Sequence, residues 1–357
     1  MTIIRVAHPG ADYDVLVGGL GEALPRLEAL SEGHRLPVIS DQRVFGLHGD
    51  RLAGVVLPDP ILVPEGEAAK GWPTLASIVD QLARTDIKRG TPIIALGGGS
   101  VGDVAGLAAS LFKRGCPIVH VPTTLLAQAD SAIGGKTAID AAGQKNLVGT
   151  FHHPLLVIAD PTFLDTLDSR QLRTGYAEVV KYGLMDDPDF FAWCEANGDG
   201  LLAGNGDHLR TAIEHCVRAK ARFVATDPDD TAGTRALLNF GHSFGHAIEA
   251  VAGHRVLHGE AVAVGMVLAL AFSVELGLCP AADADRVRAH LQAAGLPARL
   301  GDIGLTGRGA AILTAMLTDK KAQASGLTLI LARRLGEAFV ARNVDLPRLA
   351  AFLERQA

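Results

Sequence analysis

Short β-rich runs alternate with helical stretches through the first 165 residues of this 357-residue chain. Strands that alternate with helices form a parallel sheet with crossover helices, and such sheets bind ligands at the carboxyl ends of their strands. After a first strand at the N-terminus, the pattern predicts strands at Asp14–Val17, Arg35–Ser40, Gly54–Val63, Pro92–Leu96, Ile118–Val121 and Leu155–Ala159. Helices are predicted at Leu24–Ala29, Trp72–Arg84 and Gly102–Phe112. We therefore predict an α/β domain over residues 1–165.

The β pattern nearly vanishes after residue 166, and amphipathic helical spacing replaces it. The exception is Leu327–Leu331, a short apolar run. We predict an all-α domain over residues 166–357. Its longest apolar run, from Ala261 to Val274, is predicted to be too short to span a bilayer and to form a core helix.

Composition narrows the function classes. The net charge is −6 with no block of like charges, which argues against nucleic-acid and membrane-surface partners. The four cysteines are widely spaced, as in reduced thiols, and the first residues lack a signal-peptide layout. We expect a cytoplasmic protein.

The segment Ala95-Leu-Gly-Gly-Gly-Ser-Val-Gly-Asp103 joins a predicted strand to a predicted helix. Free N–H groups at such a helix start can hold a pyrophosphate. The match to the dinucleotide pattern is partial, so a tight turn at a close helix–strand contact explains the loop equally well. Polar residues at other strand ends favour a dinucleotide crevice. They are Asp41, Glu65, Lys70, Thr123 and Thr124.

A second anion site is predicted downstream, where glycines accompany Lys136, and Lys145 adjoins Asn146. Solvated surface lysines are the alternative interpretation.

The segment Asn239-Phe-Gly-His-Ser-Phe-Gly-His246 places His242 and His246 on one helical face, and His258 follows after a turn. Glu178, with apolar neighbours and Lys181 three residues later, could complete a two-histidine, one-carboxylate metal site with His242 and His258. His246 would then act as an acid/base group. The alternatives are hydrogen-bonded histidines at a helix contact and an ordinary ion pair. If Lys220, Arg235, Lys320 and Lys321 converge on this centre, the substrate is a polyanion.

Several ordered motifs together resemble the 3-dehydroquinate synthase family of sugar-phosphate cyclases. They are Gly-Gly-Gly-Ser-Val-Gly-Asp, Pro-Thr-Thr-Leu-Leu-Ala-Gln, Ile-Gly-Gly-Lys-Thr, Gln-Lys-Asn-Leu-Val-Gly, Ala-Glu-Val-Val-Lys-Tyr-Gly, Leu-Asn-Phe-Gly-His-Ser-Phe-Gly-His-Ala-Ile-Glu and Leu-His-Gly-Glu-Ala-Val. The resemblance implies a Rossmann-like NAD-binding domain, an all-α metal-binding domain, an active site in the cleft between them, and a homodimer.

The resemblance also implies residue roles. The zinc ligands, with cobalt as an alternative metal, would be Glu178, His242 and His258. The NAD contacts would be Asp41, Glu65, Lys70, Gly99, Ser100, Val101, Gly102, Asp103, Thr123, Thr124, Lys136, Lys145, Phe163, Leu164, Asp165 and Thr166. The substrate shell would be Asp130, Lys136, Asn146, Lys181, Lys220, Arg235, Asn239 and His246, with Arg114 reaching across the dimer to the substrate phosphate.

The implied reaction converts 3-deoxy-D-arabino-heptulosonate 7-phosphate (DAHP) to 3-dehydroquinate and phosphate, with transient oxidation by NAD⁺, phosphate elimination, re-reduction and aldol closure. The chain departs from the family pattern at Arg43, Ser100, Gln171 and Asp227-Pro-Asp-Asp230, which puts cofactor affinity and loop geometry in question.

Three alternatives remain. One is another sugar-phosphate cyclase, although the retained Lys220, Arg235 and Asn239 favour a carboxylate substrate. Another is a metal-dependent polyol dehydrogenase of the glycerol dehydrogenase type, which would release NADH. The last is a binding or regulatory module that keeps the fold without turnover.

Overall fold

A computed structural model of the protein describes residues 1–10, 12–230, 233–319 and 327–357. In chain order, the first elements are β1 (Thr2–Val6), β2 (Tyr13–Val17), α1 (Leu20–Ser31), β3 (Val38–Asp41), α2 (Gln42–His48), β4 (Ile61–Val63), α3 (Trp72–Arg84), β5 (Ile93–Gly97), α4 (Gly99–Leu111), β6 (Ile118–Pro122), β7 (Lys136–Ala141), β8 (Gln144–Phe151) and β9 (Leu156–Ala159). They are followed by α5 (Ser169–Met185), α6 (Pro188–Leu202), α7 (Gly206–Thr226), α8 (His242–Ala252), α9 (His258–Glu275), α10 (Ala281–Ala293), α11 (Gly309–Asp319), β10 (Leu329–Ala332), β11 (Ala338–Ala341) and α12 (Leu346–Gln356).

The contacts divide the chain into two compact units. Unit 1 comprises Met1–Leu172 and Gly204–Asp229, and unit 2 comprises Arg173–Ala203 and Asp230–Ala357. The predicted boundary was a single one between residues 165 and 166. In the structure, the chain instead passes from unit 1 to unit 2 after Leu172. It later returns to unit 1 for Gly204–Asp229, which includes α7.

Unit 1 is built on a seven-stranded sheet with the order β1-β2-β9-β6-β5-β3-β4. From β2 to β4 all neighbours pair in parallel, as predicted, whereas β1 pairs antiparallel with β2, so the sheet is mixed. Alternate residues of β5 enter different cores: Ile93 and Ala95 pack with α3 and α4, and Ile94 and Leu96 with α1. Helices therefore cover both faces, as parallel sheets require.

Two strand predictions in unit 1 were wrong. The predicted strand Gly54–Val63 starts only at Ile61, because Pro58 and Pro60 lack the N–H groups that a sheet ladder needs. The other error is an omission, since sequence analysis predicted no strand where β7 and β8 form an antiparallel hairpin. Its turn residues Ala142 and Gly143 both have positive φ, the geometry of a two-residue hairpin turn. Polar residues along β8 hid the strand pattern.

Over its described residues, unit 2 is helical except for the two-stranded sheet of β10 and β11. Strand β10 overlaps Leu327–Leu331, the apolar run that sequence analysis set apart from the helical pattern. Helix α9 is long and apolar enough to cross a membrane by length and composition alone, contrary to the prediction from its apolar run. However, 72% of that window is buried inside the protein. Helix α9 is therefore a core helix, as predicted.

Candidate cofactor and metal sites

Four adjacent parallel strands of unit 1 end in predicted ligand-binding residues. The order β6-β5-β3-β4 places Thr123, Gly98, Asp41 and Glu65 at or just after the carboxyl ends of neighbouring strands. Strand β4 pairs with one side of β3, and the next strand in the chain, β5, pairs with its other side. Such a change of side in a parallel sheet opens a crevice at the carboxyl ends of the strands. The structure thus confirms that the predicted polar strand ends share one edge of the sheet.

The glycine loop fits a group that approaches the backbone closely. Gly98 caps α4 without a side-chain hydrogen bond, so the first N–H groups of this 13-residue helix have no side-chain cap. A Cβ atom on Gly98 would lie 3.0 Å from Thr124 Cγ2, and one on Gly97 would lie 2.7 Å from Val101 Cβ. Glycine is therefore needed where the strand end packs against Val101 and Thr124, and the helix start without a side-chain cap fits a pyrophosphate.

Lys70, Asp103 and Asn146 meet in one network. Lys70 Nζ donates to Asp103 Oδ2 at 2.7 Å and also contacts Asn146 Oδ1, and Asn146 N donates to Asp140 Oδ1 at 2.8 Å. Burial lowers the pKa of Lys70, but nearby carboxylates, chiefly Asp103, raise it further. Burial raises the pKa of Asp103 more than the charge of Lys70 lowers it. Residues assigned to cofactor and to substrate therefore contact each other directly.

Asp130 and Lys220 also meet, although 90 residues separate them. Lys220 Nζ contacts Asp130 Oδ1 and donates to the Asp130 carbonyl at 2.7 Å. Lys136 begins β7 and lines a small cavity together with Gly99, Gly102 and Asp103. The structure thus brings part of the predicted substrate shell into unit 1.

Other predicted cofactor residues use their side chains elsewhere. Asp41 caps α2 by accepting from Val44 N at 2.8 Å, and Val101, Phe163 and Leu164 are buried in the protein core. These three apolar residues can therefore contact a cofactor only through their backbone atoms. Among the other predicted cofactor residues, the Ser100 hydroxyl donates to Glu67 Oε1 at 2.8 Å and Thr166 contacts His48 Nε2 at 2.9 Å, while Lys145 and Asp165 are exposed. Arg114, which was assigned to the substrate phosphate, is also exposed.

The predicted metal ligands converge in unit 2. Glu178 on α5 is 1% exposed, and its Oε1 lies 3.4 Å from His242 Nε2 and 3.1 Å from His258 Nε2. Two tetrahedral ligands of zinc lie about 3.3 Å apart, given bonds of about 2.0–2.1 Å. Glu178 Oε1 accepts no hydrogen bond of normal geometry from any described residue, and Oε2 is ion-paired with Lys181. A buried carboxylate in this condition fits a metal ion.

Each ligand has a further contact on its outer side. His242 Nδ1 lies 3.3 Å from the Phe240 carbonyl, and His258 Nδ1 lies 3.3 Å from Glu249 Oε2. Lys181 Nζ lies 2.7 Å from Glu178 Oε2. Such outer contacts fix the tautomer and orientation of metal-binding side chains.

Electrostatics favour a cation at this centre. Burial raises the pKa of Glu178, but the charge of Lys181 and the contacts of His242 and His258 hold it well below its usual value. Burial lowers the pKa of His258, but Glu178 and Glu249 raise it to about 10. The metal-free site therefore holds a proton on His258, and a bound metal would take its place.

Glycines let the helices of unit 2 approach closely enough to form this centre. A Cβ on Gly259 would lie 2.0 Å from the Thr174 carbonyl oxygen on α5, and one on Gly265 would lie 2.2 Å from the Gly241 oxygen before α8. Helix α9 therefore lies against both the helix of Glu178 and the start of the helix of His242.

His246 lies beside the metal ligands but apart from Glu178. It is exposed, and its ring centroid lies 5.5 Å from that of His242 and 6.2 Å from that of His258. Arg235 and Asn239 lie in the 3-10 helix Thr234–Asn239 just before α8, with Arg235 only 2% exposed. Lys320 and Lys321 lie outside the described residues.

Further groups of possible ligands occur. His246, Glu249 and His258 form one, and His8, His153 and Asp229 form another in unit 1. In the latter, His8 Nδ1 already accepts from Gly10 N at 3.0 Å, and the His8 and His153 rings make a tilted contact with their centroids 3.6 Å apart. Neither group contains a carboxylate as buried as Glu178.

Sequence analysis missed two polar residues at these sites. Glu249 lies seven residues after His242 and three after His246, a spacing that puts it on the same helical face. His120 lines the cavity beside the glycine loop, but its position inside an apolar strand carried no sequence signal.

Comparison with known proteins agrees with this geometry. Residues 60–174 match the family model for the 3-dehydroquinate synthase N-terminal domain, and residues 175–322 match the model for its C-terminal domain. The 3-dehydroquinate synthase of Zymomonas mobilis is 46% identical over 98% of this chain and 94% of its own length.

Two solved structures share the fold. The 2-epi-5-epi-valiolone synthase of Streptomyces hygroscopicus, with NAD⁺ and Zn²⁺ bound, is 31% identical with a TM-score of 0.89 over 98% of both chains. A 2-deoxy-scyllo-inosose synthase complexed with carbaglucose-6-phosphate, NAD⁺ and Co²⁺ is 27% identical with a TM-score of 0.87 over 100% of both chains. This chain belongs to the 3-dehydroquinate synthase family.

Proposed function

We propose that the protein is a carbon–oxygen lyase that converts DAHP to 3-dehydroquinate and inorganic phosphate, as its family relatives are named for doing. The observation that carries this proposal is the convergence of Glu178 Oε1 with the Nε2 atoms of His242 and His258 in unit 2. The glycine loop and the polar strand ends of unit 1 supply the features that a dinucleotide needs.

The cofactors we assign are NAD and a divalent metal, zinc or cobalt, as in the related cyclase structures. When bound, the metal polarises a substrate hydroxyl as a Lewis acid, and NAD⁺ accepts a hydride from the carbon that bears it. The glycine loop would bind the pyrophosphate. Glu178, His242 and His258 would hold the metal.

His246 is the group we assign to proton transfer. Its imidazole is exposed, lies beside both metal-binding histidines, and belongs to the side chain whose ordinary pKa is nearest neutrality. It would accept the proton of the substrate hydroxyl during oxidation and return it on re-reduction.

Basic residues would bind the two anionic groups of the substrate. Lys136, Asn146, Lys181 and Arg114 would hold the leaving phosphate. Lys220, which contacts Asp130, would bind the carboxylate end together with Arg235 and Asn239.

Catalysis in a homodimer, in the cytoplasm, is a further part of the proposal. Arg114 lies three residues after Leu111, which is 52% exposed. The neighbouring Ser110 Oγ accepts from Thr150 Oγ1 at 3.0 Å, so the end of α4 lies next to β8 and its exposed Phe151. Exposed apolar side chains of this kind suit a subunit interface.

The four buried cysteines form no disulfide, which suits a reducing compartment.

Mixing two inactive variants tests whether Arg114 acts across the interface. If it does, Arg114→Ala mixed with His246→Ala regains activity, because one site of the mixed dimer then has both groups. Activity that stays at the level of the separate variants, although subunits exchange, contradicts this role.

A turnover assay tests the reaction. Purified protein with NAD⁺ and zinc should release phosphate from DAHP without net NADH accumulation. Stoichiometric NADH would indicate a polyol dehydrogenase, and no turnover by protein that binds both NAD⁺ and zinc would indicate a binding module.

The second candidate function is that of another sugar-phosphate cyclase, which the structural likeness to two such enzymes favours. Glucose 6-phosphate is the matched control substrate, because it carries the phosphate without the carboxylate. Phosphate release from it, and not from DAHP, would replace our proposal by this one.

A further inference from the structure

Glu249 occupies an unusual place for a carboxylate without an assigned role. It is 7% exposed, it lies on α8, and its Oε2 is 3.3 Å from Nδ1 of His258 at the start of α9. Burying a carboxylate is costly unless it is paired or hydrogen-bonded, and the imidazole of His258 provides such a contact. Glu249 therefore belongs to the metal centre of unit 2.

The two nitrogens of His258 face different carboxylates. Nε2 lies 3.1 Å from Glu178 Oε1, and Nδ1 lies 3.3 Å from Glu249 Oε2. An imidazole that binds a metal through one nitrogen carries its proton on the other. If Nε2 binds the metal beside Glu178, Nδ1–H donates to Glu249.

A competing arrangement would use Glu249 as a ligand, since His246, Glu249 and His258 also form a group of possible ligands. Two observations favour Glu178 instead. Its Oε1 accepts no hydrogen bond of normal geometry within the described chain, and this oxygen lies near the Nε2 atoms of two histidines. Glu249 is therefore better placed behind His258 than beside the metal.

We propose that Glu249 is a positioning residue, which holds the Nδ1–H of His258 and thereby aims Nε2 at the metal. Among the described residues, the neutral Phe240 carbonyl is the contact of His242 Nδ1, so the two histidines differ in the charge next to Nδ1. The carboxylate makes His258 the more basic ligand and adds negative charge to a site that also contains Lys181. This role rests on the metal chemistry proposed above.

Helix α8 thereby has two tasks. His242 and Glu249 are seven residues apart, about two helical turns, so one rigid helix supplies one ligand and the orienting partner of another. The close approach of α9 at Gly265 fixes the distance between these helices. A shift of α8 would disturb both contacts at once.

Zinc affinity, measured on the full-length protein by competition with a chromophoric chelator and without substrate, tests the role. Glu249→Leu should weaken zinc binding by about 10–100-fold, as loss of an outer-sphere partner does. Glu249→Gln should weaken it less, because the amide oxygen still accepts from Nδ1–H. The matched control is Glu275→Gln, which removes a charge from α9 at its ion pair with Arg355 and should leave zinc affinity unchanged.

Cobalt spectra separate positioning from ligation. With saturating Co²⁺, Glu249→Gln should keep the absorption bands of the wild-type protein, because the ligands are the same. Unchanged zinc affinity in both Glu249 variants, or altered cobalt bands in Glu249→Gln, overturns the proposal. Should the wild-type protein itself fail to bind zinc or cobalt, the proposed metal chemistry falls as well.

Discussion

The polar edge of unit 1 and the metal centre of unit 2 differ in how their side chains are held when no ligand is bound. In unit 1, residues that we propose to bind ligands contact one another: Lys70 pairs with Asp103 and also contacts Asn146. In unit 2, Glu178, His242 and His258 point at a common position, and other groups support them from behind. A ligand in unit 1 must exchange existing contacts, whereas a metal in unit 2 enters a site already arranged for it.

This difference suits the two ligands. A dinucleotide brings many hydrogen-bonding groups of its own, so it can replace the contacts that hold the edge together in its absence. A metal ion brings only charge and demands fixed distances, so its ligands must be oriented beforehand. Three predictions test this contrast.

Removal of a metal ligand should have the largest effect. Glu178→Ala and His242→Ala should each weaken zinc binding by more than about 100-fold, beyond the effect of an outer partner. His246→Ala should keep zinc but lose rate, because we assign it to proton transfer. Metal content after dialysis measures the loss of zinc, and the rate of phosphate release from DAHP measures the loss of activity. Loss of zinc from His246→Ala would contradict the division of roles.

The next largest effect concerns the buried ion pairs. Lys181→Met should destabilise the metal-free protein by about 3 kcal/mol, the low end for a broken buried ion pair, because Glu178 Oε2 loses its cation while the protonated His258 still faces Oε1. Zinc should restore part of this loss, since its charge replaces that of Lys181. Urea unfolding with and without a chelator measures both.

Lys70→Met is the matched control in unit 1. Its partner Asp103 is 22% exposed, so the cost should be smaller, about 2 kcal/mol, and independent of zinc. Equal costs for the two variants, both insensitive to zinc, would remove the contrast between the two regions.

The smallest effect should be the loss of stability that a fall in pH causes through one buried histidine. Burial, with a minor contribution from His152, lowers the pKa of His120 to about 4 from 6.5. As the pH falls, His120 therefore takes up a proton in the unfolded chain before it does so in the folded protein. Its contribution to the free energy of unfolding is intact above pH 6.5 and is lost as the pH falls towards 4. Between pH 7 and 5 the loss is about 2 kcal/mol.

His120→Gln lacks this titration. Urea unfolding at both pH values should therefore show the wild-type protein losing about 2 kcal/mol more than the variant. An identical loss in both proteins would mean that His120 is not buried as a neutral imidazole.

Much of the fold could be predicted, since buried strands and amphipathic helices leave local patterns. Helix α3 begins and ends at the predicted residues, Trp72 and Arg84. The hairpin of β7 and β8 was missed because its residues are mostly polar and exposed in β8, so burial leaves no alternation there. The return of α7 to unit 1 was also missed, because a helix carries no local mark of the unit that it packs against.

The sequence by itself determined the alternation of strands and helices, the glycine loop and the pairing of two histidines with a distant carboxylate. These features depend on residue type and spacing along the chain. Only the tertiary structure decided that Glu249 lies behind His258, that Lys70 holds Asp103, and that Lys220 reaches Asp130. Such contacts depend on how helices pack, and in unit 2 that packing is set by a few glycines whose missing side chains let α9 approach its neighbours.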